Sequence, residues 1–384
     1  MKWFLGVVLA SVLSAAGPVE SGFEHFYNLE YQEAICDFER AIASHPDDPA
    51  LHNHLAQTIV FQEMYRNGAL ESELVSGNNS FLRRPKLNPS AETERRFLDE
   101  VQRAMSLAQA RLDKDPKDAA ALYALGISYG LRADYNWVIR KSWRESLRDA
   151  TAARRMHNRV SELQPDNVDA RLVQGLHDYL VGCLPWGYRM LGALVGIHGD
   201  KEKGLQTVQE VAQKGRSNGR DAAILLCALY RRENQPLRAV PLLQDLIGRF
   251  PRNYLLRMEL SQMYSVAGDK ARALDAVDEV ARLKQAHSPG YDRVPWEKIW
   301  YQQGTIQFWY RDYGPSLENL KKVAASDEID LNTTVYTWLR IGQLYDLTGR
   351  HGEAVPAYRK AIAAAPQSDG GRQAAVYLGT PYHR

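Results

Sequence analysis

Apolar positions along this chain follow a helical period, and the same pattern returns at longer intervals. Three segments superpose: YQEAICDFERAIASHPDD (31–48), QPLRAVPLLQDLIGRFPRN (235–253) and RHGEAVPAYRKAIAAAPQS (350–368). Each has a small residue early (Ala34, Ala239, Ala354), a bulky one four later (Phe38, Leu243, Tyr358), and a proline twelve after the small one (Pro46, Pro251, Pro366). Residues four apart share a helix face, and a proline without an N–H stops the helix that precedes it. Upstream lies a second helical pattern: an apolar residue, a small one, and often a large one three later. Leu125-Gly126…Tyr129, Leu226-Cys227…Tyr230, Leu260-Ser261…Tyr264 and Ile341-Gly342…Tyr345 obey it. The small slot reads Ala56, Gly126, Gly175, Cys227, Ser261, Gly304 and Gly342.

This arrangement resembles the tetratricopeptide repeat family, a helix–turn–helix unit of about 34 residues with small residues where its two helices cross. Antiparallel helices approach closest where side chains are smallest, and turn residues such as Gly268-Asp269 and Gly349-Arg350 separate the helices within units. One unit cannot bury its apolar face alone, so units stack. The resemblance implies an all-α, right-handed α-solenoid of about eight helix pairs over 17–384, with two insertions and a C-terminal capping helix from GGRQAAVYLGTPYHR. Three regions follow: N-terminal repeats over 17–118, repeats with a basic and an apolar insertion over 119–219, and regular repeats with the cap over 220–384. Successive small slots lie 70, 49, 52, 34, 43 and 38 residues apart. The 70 reads as two units with a degenerate middle one, polar and irregular over 66–92 and then a long amphipathic helix from about 93 to 112. The 49 and the 52 place extra chain at 139–160 and 181–199. Residues 175–215 are also similar to the tetratricopeptide-repeat-39 / inclusion-body-clearance family; no function is carried from that stretch.

The first sixteen residues, MKWFLGVVLASVLSAA, have one early lysine, an apolar run and small residues at Ser14 and Ala16. This is the layout of a secretory signal cleaved after Ala16, and the run is shorter than a membrane span requires. The chain is expected to be exported, periplasmic or secreted. Two sequons, at Asn78 and Asn332, matter in a eukaryotic host. The 384 residues are 45% hydrophobic and 24% charged, enough for a sizeable core. A formal net charge of +2 is no footprint for a nucleic-acid binder. Cys36, Cys183 and Cys227 show neither disulfide nor zinc spacing.

Catalytic patterns are thin. Gly126-Ile127-Ser128-Tyr129-Gly130 spells GxSxG, but the hydrolase elbow needs a strand before its serine, and here the motif falls inside a repeat helix. His52 and His54 point to different sides of a helix and cannot chelate one metal. His52 takes a packing slot and His54 faces the groove. His177-Asp178 offers an acid–base pair without a nucleophile beside it. No cofactor, metal or enzymatic activity is expected; a hydrolase using Ser128 or His177 is the competing reading.

Two surfaces remain. The family's ligands lie along the concave face, and its lining positions, carried over, are Asn53, His54, Arg231, Arg232, Tyr301, Gln302, Thr305, Phe308, Trp309, Arg340 and Gln343. Aromatics beside arginine are the composition of binding hot spots. Tyr301, Phe308 and Trp309 therefore point to a protein or peptide partner docking an extended or helical segment, unless Phe308 and Trp309 pack on the loop at 287–295. The second surface is 132–159, with eight Lys/Arg against three Asp/Glu. Arg140, Arg144 and Arg148, beside Lys141, would form one helical stripe: a solvated face, or a contact for an acidic partner or an anionic membrane surface. The stretch 179–197 carries a single charge, Arg189, and reads as a buried helix or a membrane- or partner-binding element. The leading expectation is an exported, non-catalytic scaffold in the cell envelope; the alternative is a peripheral membrane adaptor.

Overall fold

The computed structural model describes residues 17–68, 70, 88–187, 189–190, 198–326 and 329–384. The leader, the sequon at Asn78 and much of 179–197 lie outside the described residues. Seventeen α-helices are described, and sixteen of them form antiparallel pairs. The pairs are α1 (Pro18–Tyr27) with α2 (Tyr31–Ser44), α3 (Pro49–Arg66) with α4 (Ala91–Leu112), α5 (Ala119–Val138) with α6 (Trp143–Leu163), and α7 (Leu172–Gly182) with α8 (Lys201–Lys214). Then come α9 (Gly219–Arg232) with α10 (Pro236–Arg249), α11 (Tyr254–Val266) with α12 (Lys270–Gln285), α13 (Trp296–Trp309) with α14 (Tyr313–Ala324), and α15 (Leu331–Leu347) with α16 (His351–Ala364). Helix α17 (Asp369–Tyr377) buries Ala374 against the last pair as the expected cap. Among the described residues no helix is long and apolar enough to cross a membrane.

The small slots sit at the helix crossings. A Cβ on Gly126 would stand 2.8 Å from the His157 ring, and one on Gly304 would stand 2.9 Å from Leu320. Where the slot is serine, its hydroxyl is absorbed by the partner helix, Ser261 donating to the Ala273 carbonyl at 2.7 Å. An eighth slot, Gly22, lies against Phe38 and escapes the sequence pattern because Ser21 precedes it and His25 follows. Five of the turns within pairs share one geometry. Leu29, Asn234, Gly268, Arg311 and Gly349 take left-handed φ values of 55–88°. The next amide then bonds the carbonyl five residues back, as in Asp269 to Tyr264 at 2.9 Å and Arg350 to Tyr345 at 2.8 Å. This motif satisfies carbonyls that the helix end would leave open.

Three expectations need correction. Among its described residues the interval of 70 contains one pair rather than two: α3 packs directly on α4, which buries Phe97, Val101, Ala104 and Ala108. The extra chain at 139–160 is no separate piece. It lengthens α5 and α6 to 20 and 21 residues, against 14 each for α9 and α10. The arginine stripe is broken, because α5 ends at Val138, Lys141 takes a φ of 55°, and α6 starts at Trp143. Arg140 therefore belongs to a turn. There it pairs with Glu94 and stacks over Tyr135.

The array also closes on itself. The α1–α2 turn, buried at Asn28, Leu29 and Glu30, sits against the α10–α11 turn. Asn28 Oδ1 accepts from the Arg252 amide at 3.0 Å, across 224 residues of sequence. Asn253 Nδ2 donates to the Tyr27 carbonyl at 2.7 Å, and Arg293 donates to the Leu29 carbonyl at 2.7 Å. The Arg252 guanidinium forks onto both Glu30 oxygens at 2.9 and 3.0 Å. Burial raises the Glu30 carboxyl, but hydrogen bonds from Arg252 and His25 outweigh it and hold the group below its usual range. Tyr27 stacks on Phe250 with centroids 4.8 Å apart and donates to Asp221 at 2.9 Å. A buried turn needs every backbone polar group answered, and this one is answered from the far side of the array.

His157 is fully buried beneath Gly126, and neither ring nitrogen has a hydrogen-bond partner. Burial pulls its pKa down to about 4. The folded chain thus holds fewer protons than the unfolded chain between pH 6.5 and 4, and stability falls as pH falls through that window. Replacing His157 by Leu should remove about 3 kcal/mol of acid destabilisation between pH 7 and pH 4, read from urea midpoints at the two pH values.

Candidate functional site

A cavity of about 510 Å³ opens between the N-terminal helices and the inner helices α9, α11 and α13. The N-terminal side supplies Phe26, Tyr31, Phe61 and Met64. The opposite wall repeats one helix face three times: Ile224, Leu225 and Ala228 on α9, Tyr254, Met258 and Gln262 on α11, Lys298, Tyr301 and Gln302 on α13. Trp137, at the end of α5, and Asn332, near the start of α15, complete the rim. The wall is shaped by the closing contact, since Tyr27 and Asn253 belong to both.

Polar groups interrupt this wall. Glu259 is paired at 3.3 Å with Arg231, which is not itself part of the lining, Gln262 donates to Gln302 at 3.1 Å, and Lys298 also lines the hollow. Burial lowers the Lys298 ammonium below the ordinary lysine range, with nearby Asp330 opposing it. A mostly apolar hollow of this size with a few converging polar groups is the usual form of a binding site. Among the described residues no group of His, Cys, Asp and Glu could hold a metal ion.

Of the carried-over groove positions, the cavity gathers Tyr301 and Gln302, with Arg231 behind Glu259. The others lie elsewhere, each for a local reason. Asn53 is buried, its amide donating to the Ala124 carbonyl at 2.8 Å and its oxygen accepting from Ser128 at 2.7 Å. His54 does not face the groove: its ring is packed by Phe23 at 4.7 Å and Phe38 at 5.5 Å, and burial lowers its pKa to about 4. Arg232 lies over the buried Tyr179 ring of α7, and Thr305 has its hydroxyl buried. Phe308 is fully buried, against the expectation that it lines the groove. Nor do Phe308 and Trp309 rest on the loop at 287–295. The Arg340 guanidinium stacks over both rings at 4.6 and 4.7 Å and donates to Gln343 at 2.8 Å. The chain's last residues complete this clamp, Arg384 donating to the Phe308 and Trp309 carbonyls at 3.0 and 2.8 Å.

The catalytic patterns resolve into packing. Ser128 is fully buried in the middle of α5, spending its hydroxyl on Asn53 at the α3–α5 contact. His52 sits between the Glu100 carboxylate at 2.6 Å and the Pro46 carbonyl at 3.0 Å. His177 lies between Arg154 and Asp178; burial, then the Arg154 charge, lower its pKa. The cavity residues Ile224, Ala228 and Met258 carried a readable signal: they lie on helix faces that the small slots leave unused.

Two segments match tetratricopeptide repeat models, 227–288 and 335–368; the models do not reach 175–215. No curated protein matches this sequence. Among solved structures, the APC/C hetero-tetramer Cut9–Hcn1 is similar at 13% identity and a TM-score of 0.49, over 91% of this chain and 52% of that one. The chain thus spans about half the length of that relative. The human IFIT1 dimer with m7Gppp-AAAA is similar at 13% identity and a TM-score of 0.47, over 94% of this chain and 80% of that one. Yeast Tom70 follows at 11% identity and a TM-score of 0.43, over 94% of both chains.

Replacing Ser128 by Ala should cost about 1–2 kcal/mol of stability by leaving the Asn53 oxygen unanswered, measured by urea unfolding. The native chain should also stay unlabelled by a fluorophosphonate that marks activated serines.

Proposed function

We propose that this chain, a tetratricopeptide repeat protein, is an exported, non-catalytic scaffold that holds a partner protein in the cell envelope. Repeats of this kind build surfaces for protein contact, and the cavity between the closed-back N-terminal helices and α9, α11 and α13 is where the partner enters. Its apolar and aromatic walls suit a short apolar segment of the partner. Glu259, Gln262, Gln302 and Lys298, which line the cavity, offer hydrogen bonds to that segment's polar groups. The single observation that carries this reading is the 510 Å³ hollow lined on three successive helices by one repeating face. Export rests on the leader at 1–16, with its early lysine, apolar run and small residues before Gly17.

In-cell cross-linking followed by identification of the captured proteins tests both parts. Ala228→Trp should fill the hollow and lower capture of the specific partner about tenfold or more, the fold being checked by circular dichroism. Trp309→Ala, in the clamp outside the cavity, should retain capture. A folded Ala228→Trp chain that keeps every partner overturns the site. A recovered chain that still begins at Met1 and resides in the cytoplasm overturns export.

A further inference from the structure

Large apolar side chains are exposed in one region more than anywhere else among the described residues. Trp143 and Leu147 stand out from α6 at 58% and 54% exposure, and Trp186 and Met190 follow α7 at 76% and 51%. Helix α7 runs antiparallel to α6, with Arg154 at 3.3 Å from His177. The start of α6 and the segment after α7 therefore lie at the same end of two adjacent repeats.

The rotation of α6 is set from below. Arg132 on α5 forks onto the buried Asp149 at 2.8 Å to each oxygen, and Ser146, Ala153 and His157 face inward with it. The outward face is left to Trp143, Arg144, Leu147, Arg148, Thr151 and Arg155, which surround a shallow depression of about 380 Å³. Glu145 is the one exposed acid among residues 143–155, where Asp149 is buried under Arg132. Arg189 adds a further exposed cation beside Trp186 and Met190.

We infer that this face docks on an anionic lipid bilayer. Arginines meet the headgroups, and tryptophan, leucine and methionine enter the boundary between headgroups and acyl chains. Charge complementarity selects an anionic surface, since each basic residue close to the membrane adds to the attraction. The shape selects a bilayer over an acidic protein. The apolar groups project into solvent from two separate segments, and a fluid surface admits such protrusions without a matching contour. None of these residues lines the partner cavity, so the two surfaces are distinct.

Sedimentation of the full chain with vesicles tests the inference. Vesicles of phosphatidylglycerol mixed with phosphatidylcholine should carry the protein down, less so as salt rises, and phosphatidylcholine alone should not. Arg144→Glu with Arg148→Glu should weaken partitioning about tenfold or more. Trp143→Ser with Trp186→Ser should weaken it too and abolish the blue shift of tryptophan fluorescence that binding produces. All four positions are exposed, and unchanged far-ultraviolet circular dichroism confirms the folded variants. Equal binding to neutral vesicles, or binding that ignores the charge reversal, overturns the inference. Failure to bind anionic vesicles at low salt overturns it as well and leaves the patch to an acidic protein surface.

Discussion

The close approach of the two helices in each pair is the constraint on which everything else here depends. A large side chain of the second helix can pass beneath the first only where the first carries no more than a hydrogen, a methyl or a small polar group. His157 under Gly126 and Phe38 under Gly22 are two instances. With that contact made, the pair is rigid and its turn is held by a left-handed residue. The remaining apolar face then has nowhere to go but against the next pair. One buried apolar cluster accordingly spans Phe26 to Ile306, a second takes over from Phe308 to Ala374, and a third, from Ala108 to Ala170, lies where α4, α5 and α6 meet.

What the sequence discloses follows from how local each contact is. The crossing of a pair joins residues about twelve to sixteen apart in most repeats, as with Ser261 and Ala273, so it leaves a periodic trace that a single chain can show. Gly22 leaves none, because a serine precedes it and a histidine takes the large slot. The closing contact is silent for a different reason. Asn28, Glu30, Arg252 and Asn253 look like ordinary turn residues, and only the curvature of the whole array brings them together.

The candidate site was legible only in part, for the same reason. Of the repeat positions, Tyr301 and Gln302 are among the residues that line the cavity. Repeat positions fail for Asn53, where the neighbouring helix α5 comes close enough to bury the amide, and for Phe308, where the end of the chain returns and covers the ring. The two proposed surfaces also fall on different helices. Helices α9, α11 and α13 present the cavity, while α6 carries Trp143, Arg144 and Leu147 out to solvent.

A chain of repeats in which each unit touches only its neighbours can gain or lose order unit by unit from either end. The bond between Asn28 and Arg252 removes that freedom, since it joins residues 224 positions apart. The first unit reaches its final surroundings only after everything through α12, as far as Arg293, has been assembled, so folding depends on a long loop closure as well as on local helix pairing. During synthesis the N-terminal helices emerge first and must wait for their seat. The repeats from α13 onward lie outside the loop and are free to add afterwards, one pair at a time.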